Sequence, residues 1–471
     1  MPVSLAKWIM RPLLILAVAA CIWVPAASPA LGAAEPQAPQ APTGGSVLLL
    51  YDSLAKDTAR KDETDAAARL LMTMGAKVRV EPLSGYQRGM LASYQRLLLL
   101  GLDPSIKQSS PELEQELETF TGSLLQLGGT PLAFAGERPT RQYGPAPQAG
   151  AGGRLATARL LREWMGLPGY GQLYAMIRGF TPFSDYTLLR SLADELYAGG
   201  IPFAVGARPV LDNLQFPAAK RYAAALRYIQ QKQGAVLMEA PAVFGPPAEG
   251  KDPLHQQISS FLDMMMQEGA APLGIAAEQY WSFDRHYREE GMPFFDSLVL
   301  YANRSNLPLY QARTSETEYF QSTLYSISPD NPDEWEMLRV SSSTYPVDAA
   351  VTLDFPENQK ELDALVKTLK AYPAVFADYR ERDHTTRTSS HSASTLGGKV
   401  RIDGALLAPE RRDTGDEQNE DFTYIEREKA SFTGFFQAQN QIFLAVVVGA
   451  LAVFTLFIAA GRRLYRRKFL K

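Results

Sequence analysis

The chain has 471 residues, a single cysteine and a formal net charge of −4. Once a leader containing that cysteine is removed no disulfide can form, so stability must come from packed cores. Subtracting two basic residues near the N-terminus and six at the C-terminus from −4 leaves −12 between them, which argues against nucleic acid or an anionic wall polymer as main partner.

The N-terminal residues 1–33 are predicted to be a signal peptide. Lys7 and Arg11 precede an apolar stretch, and Ala30–Ala33 offers the small-residue sites that a signal peptidase cleaves. We expect cleavage after about Ala33. Two alternatives stay open: Val18–Cys21 fits the pattern before a lipid-modified cysteine, and the apolar stretch can also serve as a retained anchor.

Residues 34–45, rich in Pro, Ala and Gln, are predicted to be a linker. Residues 46–145 alternate apolar runs with helical patterns, which predicts a small three-layer α/β domain around a parallel sheet. Its strands are expected at Val47–Tyr51, Val78–Val80, Arg96–Leu100 and Leu132–Ala135, and its helices at Glu63–Met74 and Pro111–Leu127. No glycine-rich phosphate loop follows the first strand, so nucleotide binding has little support.

Residues 139–155 mix Pro, Gly and Gln and are interpreted as a linker or exposed loop. Residues 155–382 then repeat strand and helix patterns, and this βα rhythm predicts a barrel or an open α/β sheet. Its expected strands are Tyr174–Ile177, Phe203–Val205, Ala235–Leu237 and Asp348–Leu353, and its expected helices are Leu188–Tyr197, Ala218–Gln231 and Asn358–Ala371.

The C-terminal part is predicted to reach and cross a membrane. Residues 383–440 are polar and are interpreted as a partly ordered juxtamembrane stalk, with Lys399–Ile402 and Phe422–Ile425 as isolated strands. Residues 442–461 form an uncharged apolar run long enough to span about 30 Å of hydrocarbon. The six basic residues in the tail 462–471 mark the cytoplasmic side, which predicts a single-pass protein of the cell membrane with its ectodomain outside.

Three segments of the second domain are similar to a known family. Residues 181–210, 216–237 and 271–281 read TPFSDYTLLRSLADELYAGGIPFAVGARPV, FPAAKRYAAALRYIQQKQGAVL and APLGIAAEQYW. They resemble an uncharacterised branch of the polysaccharide deacetylase superfamily, most specifically at the helix followed by Gly200–Phe203. The resemblance covers roughly residues 170–380 and implies a distorted (β/α) barrel, so the fold class expected for the chain is α/β.

The resemblance also implies a metal site, and here the chain departs from the family. Active members carry an acidic pair after the first barrel strand and a His-x-x-x-His pair after a later one, holding a metal that activates water. Those positions fall on Arg178-Gly179 and on Met238 and Ala242, and a further histidine is missing after Gly274-Ile275, in Ala276–Gln279. None of these residues binds a divalent cation well, so neither a metal nor another cofactor is expected.

Other side chains could still carry chemistry. Glu239 and Glu278 follow predicted strands, and two carboxylates across one cleft could act as the acid and base of a glycosidase. The alternative is that Glu239 forms an ion pair with Arg178 or Arg208. The four histidines, His255, His286, His384 and His391, lack the short spacing of zinc ligands and are interpreted as solvated surface residues.

The expected function is binding rather than catalysis. Tyr280 and Trp281 beside Glu278 offer an apolar platform for a sugar ring, so the ligand-binding candidates are Arg178, Arg208, Asp212, Glu239, Glu278, Tyr280 and Trp281. We expect an inactive, deacetylase-like protein that binds a polysaccharide or scaffolds envelope glycan machinery. An active carbohydrate hydrolase, either a glycosidase or a deacetylase with relocated ligands, is the alternative. An interaction subunit that binds through residues 46–145 is a weaker third.

Overall fold

A computed structural model describes residues 44–52, 58–103, 110–132, 140–148, 150–241, 253–303, 316–341, 344–407 and 462. The predicted signal peptide, most of the linker 34–45, the stalk beyond residue 407, the apolar run 442–461 and the tail apart from Arg462 lie outside these residues. Within the described residues, no helix combines the length and the apolar character that crossing a bilayer requires.

The first part of the chain forms a parallel sheet of five strands in the order β2-β1-β3-β4-β5. Its helices lie on both faces, because alternate leucines of each strand point to opposite sides: Leu48, Leu97 and Leu99 pack with α2, whereas Leu49 and Leu98 face α1 and α3. The elements are β1 Ser46–Tyr51, α1 Thr58–Thr73, β2 Lys77–Pro82, β3 Arg96–Gly101, α2 Pro111–Thr119, β4 Ser123–Gly128, β5 Arg141–Gly144 and α3 Ala151–Met165.

Three sequence-based boundaries in this part need correction. The helix predicted over residues 111–127 ends at Thr119, and Ser123–Gly128 is a strand instead. Gly122 marks the break, since a Cβ there would lie 2.3 Å from the backbone oxygen of Gln95. Leu132 lies outside any strand, and residues 133–139 are not described. The supposed linker 139–155 contributes β5 and the start of α3.

The second part forms a closed barrel of seven parallel strands, in the order β10-β11-β12-β6-β7-β8-β9. The barrel alternative is therefore confirmed over the open sheet. Its strands are β6 Leu173–Phe180, β7 Phe203–Ala207, β8 Ala235–Glu239, β9 Pro272–Glu278, β10 Ser297–Tyr301, β11 Ser322–Ile327 and β12 Ala349–Asp354. Its helices are α4 Tyr186–Ala198, α5 Pro217–Gln231, α6 Pro253–Gln267, α7 Gln279–Phe283, α8 Arg285–Glu290, α9 Pro332–Ser341 and α10 Gln359–Lys370.

The N-terminal end of the barrel is closed by side chains that follow α10. Tyr379, in a 3-10 turn, stacks on His384 with ring centroids 4.0 Å apart. Arg382 forms an ion pair with Asp348 at 2.6 Å and donates to the hydroxyl of Tyr174 at 3.1 Å. His384 is 1% exposed, which corrects its interpretation as a surface residue, and burial lowers its pKa to about 4.

Residues 385–406 form a small antiparallel sheet rather than the beginning of a stalk. Its strands, in the order β13-β14-β15-β16, are Thr385–Arg387, Ser392–Leu396, Lys399–Ile402 and Ala405–Leu406. The polar sequence of this segment concealed the sheet, because only one face is covered: Ala393 and Val400 are buried while Leu396 is exposed.

The parallel sheet and the barrel share one continuous core that includes α1 and α3. A buried ion pair crosses it: Arg69 of α1 donates to Glu334 of α9 at 2.9 Å, with side chains 3% and 4% exposed. The Tyr325 hydroxyl donates to the same carboxylate at 2.7 Å, and the Arg69 guanidinium lies 3.9 Å from the centre of the Tyr325 ring. These contacts fix α1 against barrel strand β11.

Breaking this pair should destabilise the protein far more than breaking an exposed one. Arg69→Met leaves Glu334 buried without its cation, and we expect a loss of about 3–5 kcal/mol in the free energy of unfolding. Arg69→Met combined with Glu334→Leu should recover most of that loss, because no charge stays buried. Urea unfolding of the full chain in detergent, followed by tryptophan fluorescence, measures both.

The matched control is Arg285→Met, which breaks an exposed ion pair with Glu289 on α8. We expect a change of less than about 1 kcal/mol there. Equal losses for Arg69→Met and the control would show that the buried pair does not hold α1 to the barrel.

Candidate functional site

The C-terminal ends of the seven barrel strands meet at one rim, called the mouth here. Because side chains alternate along a strand, every second residue points into the barrel. Met176 points inward, as its sulfur lies 3.9 Å from the Tyr301 hydroxyl oxygen, and Arg178 is two residues further along β6. The same alternation places Gly206 on the inner side of β7 and Glu239 on that of β8, since these two residues are in contact.

Glu239 is the buried carboxylate of the mouth. Its Oε1 accepts from the backbone N–H of Gly179 at 2.8 Å and from the Tyr301 hydroxyl at 3.3 Å. Gly206 provides the space, since a Cβ there would lie 2.5 Å from the same oxygen. The pairing of β6 with β7 shifts register between Ile177 and Phe180, and Gly179 has φ +84°, so this irregularity turns its N–H toward Glu239.

The ion-pair partner of Glu239 is Arg208, from the residue directly after β7. The Arg208 Nε lies 3.4 Å from Glu239 Oε2, and the side chains of Arg208 and Glu239 are 54% and 8% exposed. Burial raises the pKa of Glu239 above its ordinary value of 4.5, although the Gly179 N–H and Arg208 act in the opposite direction. Of the two partners considered for Glu239, the structure therefore selects Arg208.

Arg178 has carboxylate partners of its own. Its Nε donates to Asp354 Oδ1 and its Nη2 to Asp330 Oδ2, both at 2.5 Å. Burial by itself lowers the pKa of Arg178, but the hydrogen bonds to Asp354 and Asp330 and the charge of Asp354 together outweigh it and the net direction of the pKa shift is upward. The guanidinium is thus fixed between the ends of β12 and the loop after β11, at the position that the resemblance assigns to an acidic metal-ligand pair.

Glu278 lies on the strand next to Glu239. Ala276 pairs with Glu239, and Glu278 is two residues further along β9, where it pairs with Tyr301. Its backbone therefore lies on the same inner side as Glu239, one layer closer to the rim. The two candidate carboxylates are neighbours at the mouth, and Glu278 also precedes helix α7 directly.

Two of the positions assigned to missing ligands do not face the mouth. Met238 is fully buried in the hydrophobic core, on the opposite side of β8 from Glu239. Gln279 is 2% exposed and donates from its side chain to the backbone oxygen of Asp65 in α1. A shift of one residue along a strand reverses the face of a side chain, so the residue of β8 that reaches the mouth is Glu239. Ala242 lies outside the described residues.

Of the two aromatic candidates, Trp281 is a core residue, whereas Tyr280 is partly buried and packs against that core. Trp281 is 1% exposed and stacks on Tyr287 with ring centroids 4.6 Å apart, while its indole N–H donates to the Tyr280 hydroxyl at 3.0 Å. A buried indole cannot offer its face to a sugar, which corrects the interpretation of Trp281 as a platform. Asp212 is exposed in the loop between β7 and α5.

Sequence reasoning missed three polar residues of the mouth: Tyr301, Asp330 and Asp354. Their signal was position, because each stands at or just after the end of a strand, where barrel proteins place functional groups. Tyr301 is buried, and its pKa is raised well above the ordinary value, so its hydroxyl acts as a donor toward Glu239. Across the described residues, no group of three or more His, Cys, Asp or Glu side chains is arranged to hold a metal.

Comparisons with known proteins give structural likenesses only. No family model and no curated protein matches the chain. A CE4 family pseudoenzyme from Bacillus anthracis is 11% identical, with a TM-score of 0.29, over 45% of this chain and 66% of that one, just under two thirds of its length. A peptidoglycan N-acetylglucosamine deacetylase is 9% identical, with a TM-score of 0.26, over 45% of this chain and 87% of that one. A mutant of the pseudoenzyme with restored enzymatic activity is 10% identical, with a TM-score of 0.27, over 45% of this chain and 68% of that one.

A putative polysaccharide deacetylase from Mycobacterium smegmatis is 12% identical, with a TM-score of 0.25, over 45% of this chain and 88% of that one. The barrel itself is established by its strand pairings, and likenesses of this strength add nothing to the chemistry of the mouth.

The buried state of Glu239 predicts a pH dependence of stability. The pKa of Glu239 is raised in the folded chain above its ordinary value of 4.5. Ionisation of this carboxyl therefore lowers the free energy of unfolding progressively as the pH rises above 4.5. Glu239→Gln removes that effect, so the stability of the variant relative to the wild type should increase from about pH 4 to about pH 7. Urea unfolding at a series of pH values measures the difference.

The control is Glu289→Gln, which changes a half-exposed carboxylate on α8. This variant measures the effect of removing a carboxylate that is not buried in the barrel. A difference between Glu239→Gln and the wild type that does not change with pH would show that Glu239 ionises as readily in the folded chain as in the unfolded one.

Proposed function

We propose that the chain is a carbohydrate-binding protein built on a deacetylase-like barrel and that it lacks metal-dependent deacetylase activity. One observation carries this proposal: Arg178 occupies the end of β6, held between Asp354 and Asp330. A fixed guanidinium repels a divalent cation at the point where the resemblance places acidic ligands. The two carboxylates that flank it already accept hydrogen bonds from it.

The polar groups of the mouth suit a ligand rich in hydroxyl groups. Arg208 has a half-exposed side chain, and the side chains of Asp330 and Asp354 are 68% and 69% exposed. Together they present hydrogen-bond donors and acceptors at the mouth of the barrel, as sites for polar small molecules and sugars do. A polysaccharide of the cell envelope or a secreted one is the ligand class that we propose.

The cellular setting is part of the proposal. The apolar run 442–461 and the basic tail support an anchor in the cell membrane, with the barrel outside the cytoplasm. In that position the protein would hold a polysaccharide chain at the membrane or serve as a scaffold for glycan machinery. Protease accessibility of the barrel in spheroplasts tests this orientation, because a cytoplasmic barrel would be protected.

A glycosidase is the second candidate, and one observation favours it. Burial raises the pKa of Glu239, the direction that suits a general acid, and Glu278 lies on the same side of the neighbouring strand. Against it, Glu239 already accepts from the Gly179 N–H and Tyr301 and pairs with Arg208. A base or acid held by three donors is poorly placed to exchange a proton with a substrate.

The decisive experiment uses the full chain purified in detergent and dialysed against zinc, manganese or cobalt. We expect no stoichiometric metal by elemental analysis, no acetate or reducing ends released from N-acetylated chitohexaose, and binding of that oligosaccharide by calorimetry. Arg208→Ala should weaken this binding by about tenfold, the equivalent of roughly 1.4 kcal/mol. Arg285→Ala, in an exposed ion pair on α8, should leave it unchanged.

Bound metal with acetate release would replace the proposal with an active deacetylase. Release of reducing ends that Glu239→Gln abolishes would replace it with a glycosidase. Absence of binding would remove the carbohydrate-binding proposal itself.

A further inference from the structure

We propose that Phe183 and Phe216 form an aromatic platform at the mouth on which uncharged pyranose rings of the polysaccharide stack. This inference rests on the proposed function and replaces Trp281 as a sugar-contacting aromatic. Phe183 and Phe216 are 97% and 53% exposed. They lie in the loops after β6 and β7, the two strands whose ends provide Arg178 and Arg208.

The exposure of Phe183 is specific to its position in the loop. Phe180, three residues earlier, is fully buried, where it stacks on Tyr222 with centroids 5.3 Å apart and packs against Phe355 at 5.1 Å. The last residue of β6 is therefore buried, whereas the loop that follows leaves Phe183 in solvent. Covering the face of Phe183 with an apolar surface would recover hydrophobic free energy that folding leaves unused.

The Phe183 loop is held by its own hydrogen bonds. The N–H of Phe183 donates to Thr181 Oγ1 at 3.2 Å, and the N–H of Thr181 donates to Ser184 Oγ at 3.0 Å. The Tyr186 hydroxyl donates to the Pro182 oxygen at 2.9 Å, and Asp185 caps helix α4. A ring presented on such a loop loses little conformational entropy on binding, which favours its use as a contact surface.

The Phe216 loop is held in a comparable way. Asn213 adopts a left-handed conformation with φ 60°, and its backbone oxygen accepts from the N–H of Phe216 at 3.1 Å. Phe216 then begins helix α5, with Pro217 as the first helical residue. The buried Tyr222 hydroxyl lies 3.0 Å from both the Phe180 and the Arg208 backbone oxygens, so it ties the starts of the two loops together.

The surroundings of the two rings identify the ligand chemistry. Aromatic faces bind the apolar C–H face of a pyranose ring, while the hydroxyl groups at its edge need polar partners. Arg208 and Asp212, in the same loop as Phe216, are such partners. Among the described residues named at the mouth, the two arginines Arg178 and Arg208 are outnumbered by the carboxylates of Asp212, Glu239, Glu278, Asp330 and Asp354. This excess of negative charge disfavours a polyanion, so we assign the platform to an uncharged chain.

The test compares binding of N-acetylated chitohexaose, an uncharged pyranose chain, and of polygalacturonate, a polyanion, to the full chain in detergent. Phe183→Ala and Phe216→Ala should each weaken binding of chitohexaose about fivefold or more, and the double variant more strongly. Phe183→Trp should retain it, because an aromatic face is restored. Polygalacturonate should bind neither the wild type nor the variants.

The matched controls are Tyr170→Ala and Tyr143→Ala, which remove aromatic rings that are 63% and 52% exposed elsewhere. Tyr170 precedes β6 and so lies at the opposite end of the barrel, and Tyr143 belongs to β5 of the parallel sheet. Both should bind chitohexaose as the wild type does. Thermal unfolding of each variant verifies that it is folded.

Two results would overturn the inference and leave the proposed function standing: unchanged chitohexaose binding by the double phenylalanine variant, or tighter binding of polygalacturonate than of chitohexaose. Absence of wild-type binding to either polymer would overturn the proposed function together with the platform. Failure of the platform inference and failure of the proposed function therefore give different results on the same set of samples.

Discussion

Closure of the parallel barrel is the constraint on which the rest of this structure depends. Every strand must pair on both sides, so the first strand β6 pairs with the last strand β12, and their register sets Arg178 directly beside Asp354. Closure therefore brings together two residues that are far apart in the sequence, and their side chains form an ion pair. Closure also brings all seven C-terminal strand ends to one rim, where loops can add function without disturbing the core.

The mouth illustrates how a buried carboxylate obtains hydrogen-bond partners. Glu239 is buried, and an unpartnered carboxylate there would be costly. The chain supplies donors from three strand ends: the Gly179 N–H, the Tyr301 hydroxyl and the Arg208 guanidinium. Gly206 leaves the room that this arrangement needs. This set of fixed donors around one carboxylate keeps the mouth polar.

Residues of the same type, or adjacent in sequence, differ in burial according to their position in the fold. Trp281 and Phe180 are buried, whereas Phe183 and Phe216 are exposed in the loops after β6 and β7. Met238 and Glu239 are adjacent in sequence but lie on opposite faces of β8. At the other end of the barrel, His384 in a Ser- and Thr-rich segment is sealed under Tyr379. Residue type alone distinguishes none of these cases.

Local sequence determined the α/β class, the strand and helix rhythm of the barrel and the strand-end positions of Glu239 and Glu278, because hydrophobic periodicity and strand length are short-range properties. It did not determine the partner of Glu239, the end of helix α2 at Thr119, the sheet at 385–406 or which aromatic rings are exposed. Those outcomes depend on pairing register and on packing between segments distant in sequence, such as Arg178 with Asp354 and Arg69 with Glu334. Such contacts leave no periodic signal in the chain, so only the tertiary structure decided them.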